Sequence, residues 1–329
     1  MSSSSCKLYL DNYPNYYSPG DTIVGRVSCF FNSPKSIQGI RLKLSGKERT
    51  EWTSRRGKHS STYTGKNSLL LVQHTLVGEG DLPKGRHEYS FSLTLPTNLP
   101  GTYSGKYGSI SYSLKATVDR PYKFDYKDKK AFNVVAPINF NDIKETLQLG
   151  PVAYCDEEVP NCFCCANGSV SMNVHLLKEA FVVGEIVPIR IEINNMSNVN
   201  VQTVEVKMAM DIISTASKLW TESKTEHELI ATCRSGGVGA HGNRIYDLQM
   251  EIPGSTVVPN FRFATLFEES TKIEVTAVVA GCNSNLGVEF KVTLGHIPIV
   301  DGQQNYSIIT EQFPAATAIP DTWVPTAPS

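Results

Sequence analysis

Gly85-Arg86-His87-Glu88-Tyr89-Ser90-Phe91-Ser92-Leu93-Thr94-Leu95-Pro96 puts an apolar side chain at every second position from Tyr89 to Leu95 and then closes on a proline. Successive side chains of an extended chain point to opposite faces, so this run has one apolar face and one wet face. Its terminal proline has no N–H to give a ladder. Gly242-Asn243-Arg244-Ile245-Tyr246-Asp247-Leu248-Gln249-Met250-Glu251-Ile252-Pro253 is built the same way. The same period of two recurs at Ile40, Leu42, Leu44; at Ile110, Tyr112, Leu114, Ala116, Val118; and at Ile189, Ile191, Ile193. It returns at Val204, Val206, Met208, Met210; at Ile273, Val275, Ala277; and at Leu286, Val288, Phe290, Val292, Leu294. Half-buried antiparallel strands have this pattern. A few segments, such as Glu222 to Leu229, are compatible with a helical period, but none has a convincing cap and stripe. Many strands separated by Gly, Pro and Asn turns imply sandwiches or barrels.

The halves of the chain resemble each other. Tyr17-Ser18-Pro19-Gly20-Asp21-Thr22-Ile23 aligns without a gap with Phe181-Val182-Val183-Gly184-Glu185-Ile186-Val187, and at the same offset Ile37 to Leu44 aligns with Val201 to Met208. The two proline-closed strands quoted first form a second matching pair. A duplicated β-sandwich accounts for both. At 329 residues, against roughly 150 per domain, two domains are expected. The boundaries read as a first lobe over 6–140, a linker with a cysteine group over 141–168, a second lobe over 169–300, and a flexible Pro/Thr/Ala-rich tail over 301–329.

Lys and Arg number 31 against 32 Asp and Glu, a net charge of −1, so no chain-wide field favours nucleic acid and any charge-based binding must be local. The eight cysteines are too sparse for a disulfide scaffold. Met1 to Lys7 has no apolar core of a secretory leader, and no apolar run approaches the roughly 18 residues of a membrane span. A reducing, cytoplasmic setting is the expectation, in which Asn167-Gly168-Ser169 and the other two sequons are chance matches.

The search for catalytic chemistry is mostly negative. No HExxH, P-loop or GxSxG is present, the seven histidines are scattered, and no cofactor is expected. Gly237-Val238-Gly239-Ala240-His241-Gly242 matches G-x-G-x-x-G, but a dinucleotide needs a helix N-terminus there, and a strand pattern follows instead. Cys155, Cys162, Cys164 and Cys165, with His175, offer soft zinc ligands without the C-x₂-C spacing, so free thiols are the reading adopted and no metal is expected. Lys47 to Lys66 is rich in basic residues and reads as a solvated loop between strands. Arg49, Arg55, Arg56 and Lys58 in it are candidates for acidic cargo tails or phosphoinositides if they converge on one face. Pro325-Thr326-Ala327-Pro328 is a P-T-A-P tetrapeptide, a short proline motif with a low ordering cost on docking into a groove.

Several of these stretches carry a closer resemblance. Gly85 to Pro96, Pro100 to Tyr112 (PGTYSGKYGSISY), Val118-Asp119-Arg120-Pro121, Gly46 to Trp52, Asn161 to Ser171 (NCFCCANGSVS), Phe181 to Glu185 and Leu294-Gly295-His296-Ile297-Pro298 stand in the order of the α-arrestins, the arrestin domain-containing proteins. The chain resembles that family over about residues 6 to 300. The resemblance implies an all-β fold of two arrestin-type, immunoglobulin-like antiparallel sandwiches joined by a short hinge. It also implies a non-catalytic adaptor that binds membrane receptors or transporters, directs their ubiquitination and endosomal sorting, and associates with membranes only peripherally. Family members recruit Nedd4-type ubiquitin ligases through PPxY motifs. This sequence has no two consecutive prolines, so an indirect link to such a ligase is expected. The P-T-A-P motif is similar to those that recruit the ubiquitin-binding subunit of the first endosomal sorting complex. No residues match the buried charged phosphate sensor of visual and β-arrestins. The alternative reading is a redox-linked or signalling scaffold that binds a thioredoxin-like partner through a cysteine, with Cys233 near the relevant region.

Overall fold

The structure, a computed structural model, describes residues 4–11, 13–57, 59–159, 168–217, 220–281 and 285–300. The first half holds β1 (Ser5–Leu10), β2 (Thr22–Phe31), β3 (Lys35–Ile37), β4 (Gly39–Arg56), β5 (His59–Val77), β6 (Gly80–Leu82), β7 (Gly85–Thr94), β8 (Tyr103–Ser104), β9 (Gly108–Asp119) and β10 (Tyr126–Phe132). The second half holds β11 (Val152–Glu158), β12 (Val170–Leu176), β13 (Ala180–Val182), β14 (Ile186–Asn195), β15 (Val201–Ser217), β16 (Thr221–Val238), β17 (Asn243–Glu251), β18 (Phe267–Val279) and β19 (Leu286–Gly295).

In the first lobe a sheet of order β1-β2-β7 packs on β10-β9-β4-β5, and in the second β11-β12-β14-β17 packs on β15-β18-β19-β13 with β16 beside β15. The alternating positions read from sequence supply the inner faces. Ile110, Tyr112, Leu114, Ala116 and Val118 are all buried, as are Ile189, Ile191 and Ile193 and the series Leu286 to Leu294. Each such aliphatic side chain contributes about 1.5–3 kcal/mol by leaving water.

The duplication extends to hydrogen bonds. Gly20 and Gly184 both have positive φ, +92° and +84°, and each is the third residue of a turn closed by the acid that follows it. Asp21 N–H donates to Ser18 O (3.0 Å) and Glu185 N–H to Val182 O (3.1 Å). Their carboxylates accept from the Ser18 and Val182 N–H groups at 2.7 and 2.9 Å. In each lobe the acid's carbonyl then accepts from the end of the proline-closed strand, from Leu95 N–H (2.8 Å) and Ile252 N–H (3.0 Å). The aromatic residue three positions before the glycine makes a parallel pairing in both copies, Tyr17 with Val134 and Phe181 with Leu294. Among the described residues one further parallel bridge joins Asn139 to Ile297, and the other pairings are antiparallel.

The helical period noted at 222–229 is not realised, and one segment differs from the sequence reading. Glu222 to Leu229 is extended within β16, because β15 offers it a continuous partner from Ser217↔Thr221 to Val201↔Val238. The segment 141–168 read as a linker contains β11, which pairs with β12 from Val152↔Leu176 to Glu158↔Val170 at the edge of its sheet. Its half-buried face passes from Val152 and Tyr154 to the acids Asp156 and Glu158, which hides the alternation.

Replacing Gly184 with Ala isolates the backbone requirement, since the added Cβ would meet nothing closer than Gly254 Cα at 3.9 Å. A loss of about 1–2 kcal/mol is expected, read as a lower urea midpoint for the second lobe.

Candidate functional site

The hairpins β4–β5 and β15–β16 carry the contact between the lobes. Lys47 to Lys66 is therefore not a solvated loop but two strands joined at the turn after Arg56. The outward positions Lys47, Arg49, Glu51 and Arg55 are exposed, while Glu48, Thr50 and Trp52 are buried. The apolar alternation stops after Leu44 because, past Gly46, the inward positions leave the first lobe's core and meet the second lobe, where the partners are polar.

Glu48 is 1% exposed. Its carboxylate accepts from Thr265 N–H at 3.1 Å, Leu266 N–H at 3.1 Å, Thr265 Oγ1–H at 2.5 Å and Asn67 Nδ2–H at 2.8 Å. Charge-assisted hydrogen bonds offset the cost of burying the ion. Two residues on, Thr50 Oγ1 donates to Thr215 O at 2.6 Å, and Ser217 pairs with Thr64, so one rung makes a single sheet of both lobes. Gly65 permits this approach. A Cβ there would lie 2.4 Å from Thr50 Oγ1 and 3.0 Å from Thr215 O.

A second carboxylate works in the opposite direction. Glu226 of β16 accepts from the N–H groups of Lys106 (2.6 Å) and Tyr107 (3.2 Å), fixing the β8–β9 turn. Beside it Tyr103 meets Phe261 and Phe267 edge-on at centroid distances of 5.0 and 5.2 Å. Burial and the nearby Glu226 and Glu228 push the Tyr103 phenol up to about 12, so it stays neutral. Toward the hairpin tip Trp52 stacks on Tyr63 at 6.1 Å and meets Tyr107 edge-on at 6.0 Å, with its Nε1–H buried and unpartnered.

These contacts border a cleft of about 920 Å³ between the lobes, walled by Leu99, Ile138, Thr215, Phe261, Arg262 and Glu269 among others. Its floor includes the hinge. Ile138 N–H donates to His296 Nδ1 at 3.0 Å, His296 N–H returns a bond to Ile138 O at 2.9 Å, and Phe140 N–H donates to Ile297 O at 3.0 Å. An Nδ1 that accepts must be unprotonated, so the imidazole is neutral with its proton on Nε2. Burial pushes the His296 pKa below its ordinary 6.5.

The residues singled out in the sequence lie mostly elsewhere. Arg49 is exposed and paired with Glu51, and Arg55 shares its face of β4 six positions on, roughly 20 Å away at strand rise. The Arg56 side chain, Lys58, the three cysteines Cys162, Cys164 and Cys165, and Pro325-Thr326-Ala327-Pro328 lie outside the described residues. Cys155 is exposed in β11. Among the described residues no group of three His, Cys, Asp or Glu side chains is placed to hold a metal. Gly237 and Val238 finish β16, and Asn243 begins β17 after a turn, so no helix opens at the glycine motif. Cys233 is half-buried in β16, where burial pushes its thiol up and disfavours the nucleophilic thiolate. The interface residues Glu48 and Thr50 went unnoticed. Their one signal is a polar pair that keeps the strand phase of Leu42 and Leu44 on the far side of Gly46.

Two sandwiches held across such an interface define an arrestin-type molecule, and comparison with known proteins agrees. Residues 6–141 match the family model "Arrestin (or S-antigen), N-terminal domain" and residues 166–299 its C-terminal counterpart. The chain belongs to the arrestin family, in its arrestin domain-containing or α-arrestin branch. It is 27% identical to arrestin domain-containing protein 4 of Mus musculus over 321 residues, 93% of this chain and 75% of that protein. It is 33% identical to arrestin domain-containing protein 17 of Caenorhabditis elegans over 207 residues, 58% of this chain and 48% of the relative. Human thioredoxin-interacting protein is 27% identical over 198 residues, 58% of this chain and 50% of that protein.

Two measurements probe this interface. Glu48→Ala strands the buried Thr265 and Leu266 N–H groups and should cost about 3 kcal/mol, splitting one calorimetric transition into two as the lobes uncouple. His296 gives a pH signature. With its folded pKa lowered, the unfolded chain takes up the proton first, so the hinge bond's contribution is complete above 6.5 and is lost as pH falls through the folded value. The protection factor of the Ile138 amide, that is its exchange corrected for the intrinsic slowing in acid, should fall on acidification, and His296→Gln should remove that fall.

Proposed function

We propose that this chain is a non-catalytic adaptor that binds the cytoplasmic tails of membrane receptors or transporters and promotes their ubiquitin-dependent endocytosis and endosomal sorting. The observation that carries the reading is the pair of arrestin lobes locked across Glu48 with a cleft between them. Antiparallel sandwiches give a rigid platform, and ligands collect on the loops and clefts it positions. Membership of a family whose relatives are described as arrestin domain-containing proteins supports it. Arg49 and Arg55 contribute to contact with acidic cargo tails. Pro325-Thr326-Ala327-Pro328 contacts a subunit of the endosomal sorting machinery, and a Nedd4-type ubiquitin ligase is reached indirectly, since no two prolines are adjacent. The protein acts in the cytoplasm and is recruited to the plasma membrane and endosomes.

The similarity to thioredoxin-interacting protein favours a second reading, a scaffold that meets a thioredoxin-like partner through Cys233. A mixed disulfide trapped with the native chain and absent from Cys233→Ser would support it.

Proximity labelling from the full chain beside one ending at Val300 separates the partners of the lobes from those of the tail. Receptors or transporters should be labelled in both, and sorting-complex subunits only by the full chain. Pro325→Ala with Pro328→Ala should abolish the latter. Labelling without any membrane protein would overturn the adaptor reading.

A further inference from the structure

Two thiols face each other inside the first lobe. β1 and β2 pair without a bulge, and the register sets Cys6 directly opposite Cys29. Both side chains belong to the core, Cys6 at 6% and Cys29 at 0% exposure. An antiparallel pair alternates between rungs that exchange two backbone hydrogen bonds and rungs that exchange none. Asp11 N–H donates to Val24 O at 2.9 Å, which continues the same register and marks that rung as bonded. Counting back in twos, Tyr9 with Arg26 and Lys7 with Ser28 are bonded rungs, so Leu8 with Val27 and Cys6 with Cys29 are open ones. Leu8 has the phase this requires, since its N–H turns away from β2 and donates to Asp128 of β10 at 2.8 Å.

An open rung brings its Cα atoms to about 4.5 Å, with the side chains closer than at a bonded rung. That separation is inside the roughly 4.4–6.8 Å over which a disulfide closes without backbone movement. The register is pinned on both sides of the pair. Beyond the cysteines, Ser4 Oγ–H donates to Asn32 Oδ1 at 2.8 Å and Asn32 N–H donates back to Ser4 Oγ at 3.1 Å. Among the described residues no other two cysteines are opposite each other in a sheet: Cys155 faces Asn173 and Cys233 faces Val206. The two thiols are also unequal. A hydrogen bond from the Cys29 thiol holds Cys6 below its ordinary 9.0, against burial and the nearby Asp128 carboxylate, and the same bond pushes Cys29 up. Cys6 is therefore the first to become a thiolate, the form that oxidants attack. It also sits in the outermost strand of its sheet, where local opening costs least.

We propose that Cys6 and Cys29 form a reversible disulfide, made by a hydroperoxide, that fastens β1 to β2. The Cys6 thiolate attacks one oxygen of hydrogen peroxide, the O–O bond breaks, and the departing hydroxide takes the proton given up by the thiol and leaves as water. Cys6 is then a sulfenic acid. The Cys29 sulfur attacks the Cys6 sulfur, the S–O bond breaks, and the hydroxyl leaves as a second water with the Cys29 proton. Two thiols have lost two electrons and one peroxide has gained them, and a thiol reductant reverses the change. The bond restricts the unfolded chain between the two cysteines and holds β1, whose Leu8 N–H ties this sheet to β10, against peeling. It involves neither the cleft nor Cys233 and does not depend on the adaptor reading.

The test uses the full chain, reduced and then treated with hydrogen peroxide under native conditions. Alkylation, digestion and mass spectrometry should find the Cys6 and Cys29 peptides joined, and a thiol reductant should release them. Oxidation should raise the melting temperature by about 5 °C or more. Cys6→Ala and Cys29→Ala should each remove that rise, while Cys155→Ala should keep it. In Cys29→Ala, peroxide should leave a sulfenic acid on Cys6 that dimedone captures. Either alanine opens a small cavity, so the linkage map of the unsubstituted chain decides the matter whatever the stability of the variants. Free thiols at Cys6 and Cys29 once the exposed Cys155 has been oxidised would overturn the pair. So would Cys6 driven to a sulfinic acid without a link, a link from either cysteine to a different partner, or one that forms only in denaturant.

Discussion

A carboxylate removed from water without a cation beside it has to be satisfied hydrogen bond by hydrogen bond, and Glu48 is satisfied largely by the other lobe. The placement of the two lobes depends on that constraint. The donors come from the backbone at Thr265 and Leu266, so they have fixed directions, and a lobe rotated by even part of a strand spacing would leave them short. Thr50, Gly65 and the Ser217–Thr64 rung fit around the same requirement. Apolar contact between the lobes, supplied by Tyr103, Phe261 and Phe267, adds non-directional attraction, while the polar contacts select one arrangement.

The sheets themselves were legible because one face of each strand is buried and the other wet. Phe181 to Val187 against Tyr17 to Ile23 showed the duplication, and the reason is physical: both turns need a glycine at positive φ followed by an acid to cap the turn. Legibility fails where a strand's inner face meets something other than its own lobe's core. Glu48 and Thr50 kept the strand phase but not its apolar content. Edge position hid β11, and the run Glu222-Ser223-Lys224-Thr225-Glu226-His227-Glu228, without an apolar side chain, carries no strand alternation of its own.

The cysteine pair illustrates a different gap. Cys6 and Cys29 each read as an ordinary residue of its own stretch. Their apposition depends on register, which is set by long-range pairing and cannot be read along the chain.

Because, among the described residues, one rung continues the sheet from β5 into β15, the molecule has uneven mechanical stiffness. Pulling a lobe apart along its strands would load many hydrogen bonds in shear together, whereas tilting one lobe against the other loads only that rung and the few side-chain bonds at Glu48, Thr50 and Glu226. Deformation will concentrate at that seam, leaving each sandwich to move as a nearly rigid plate.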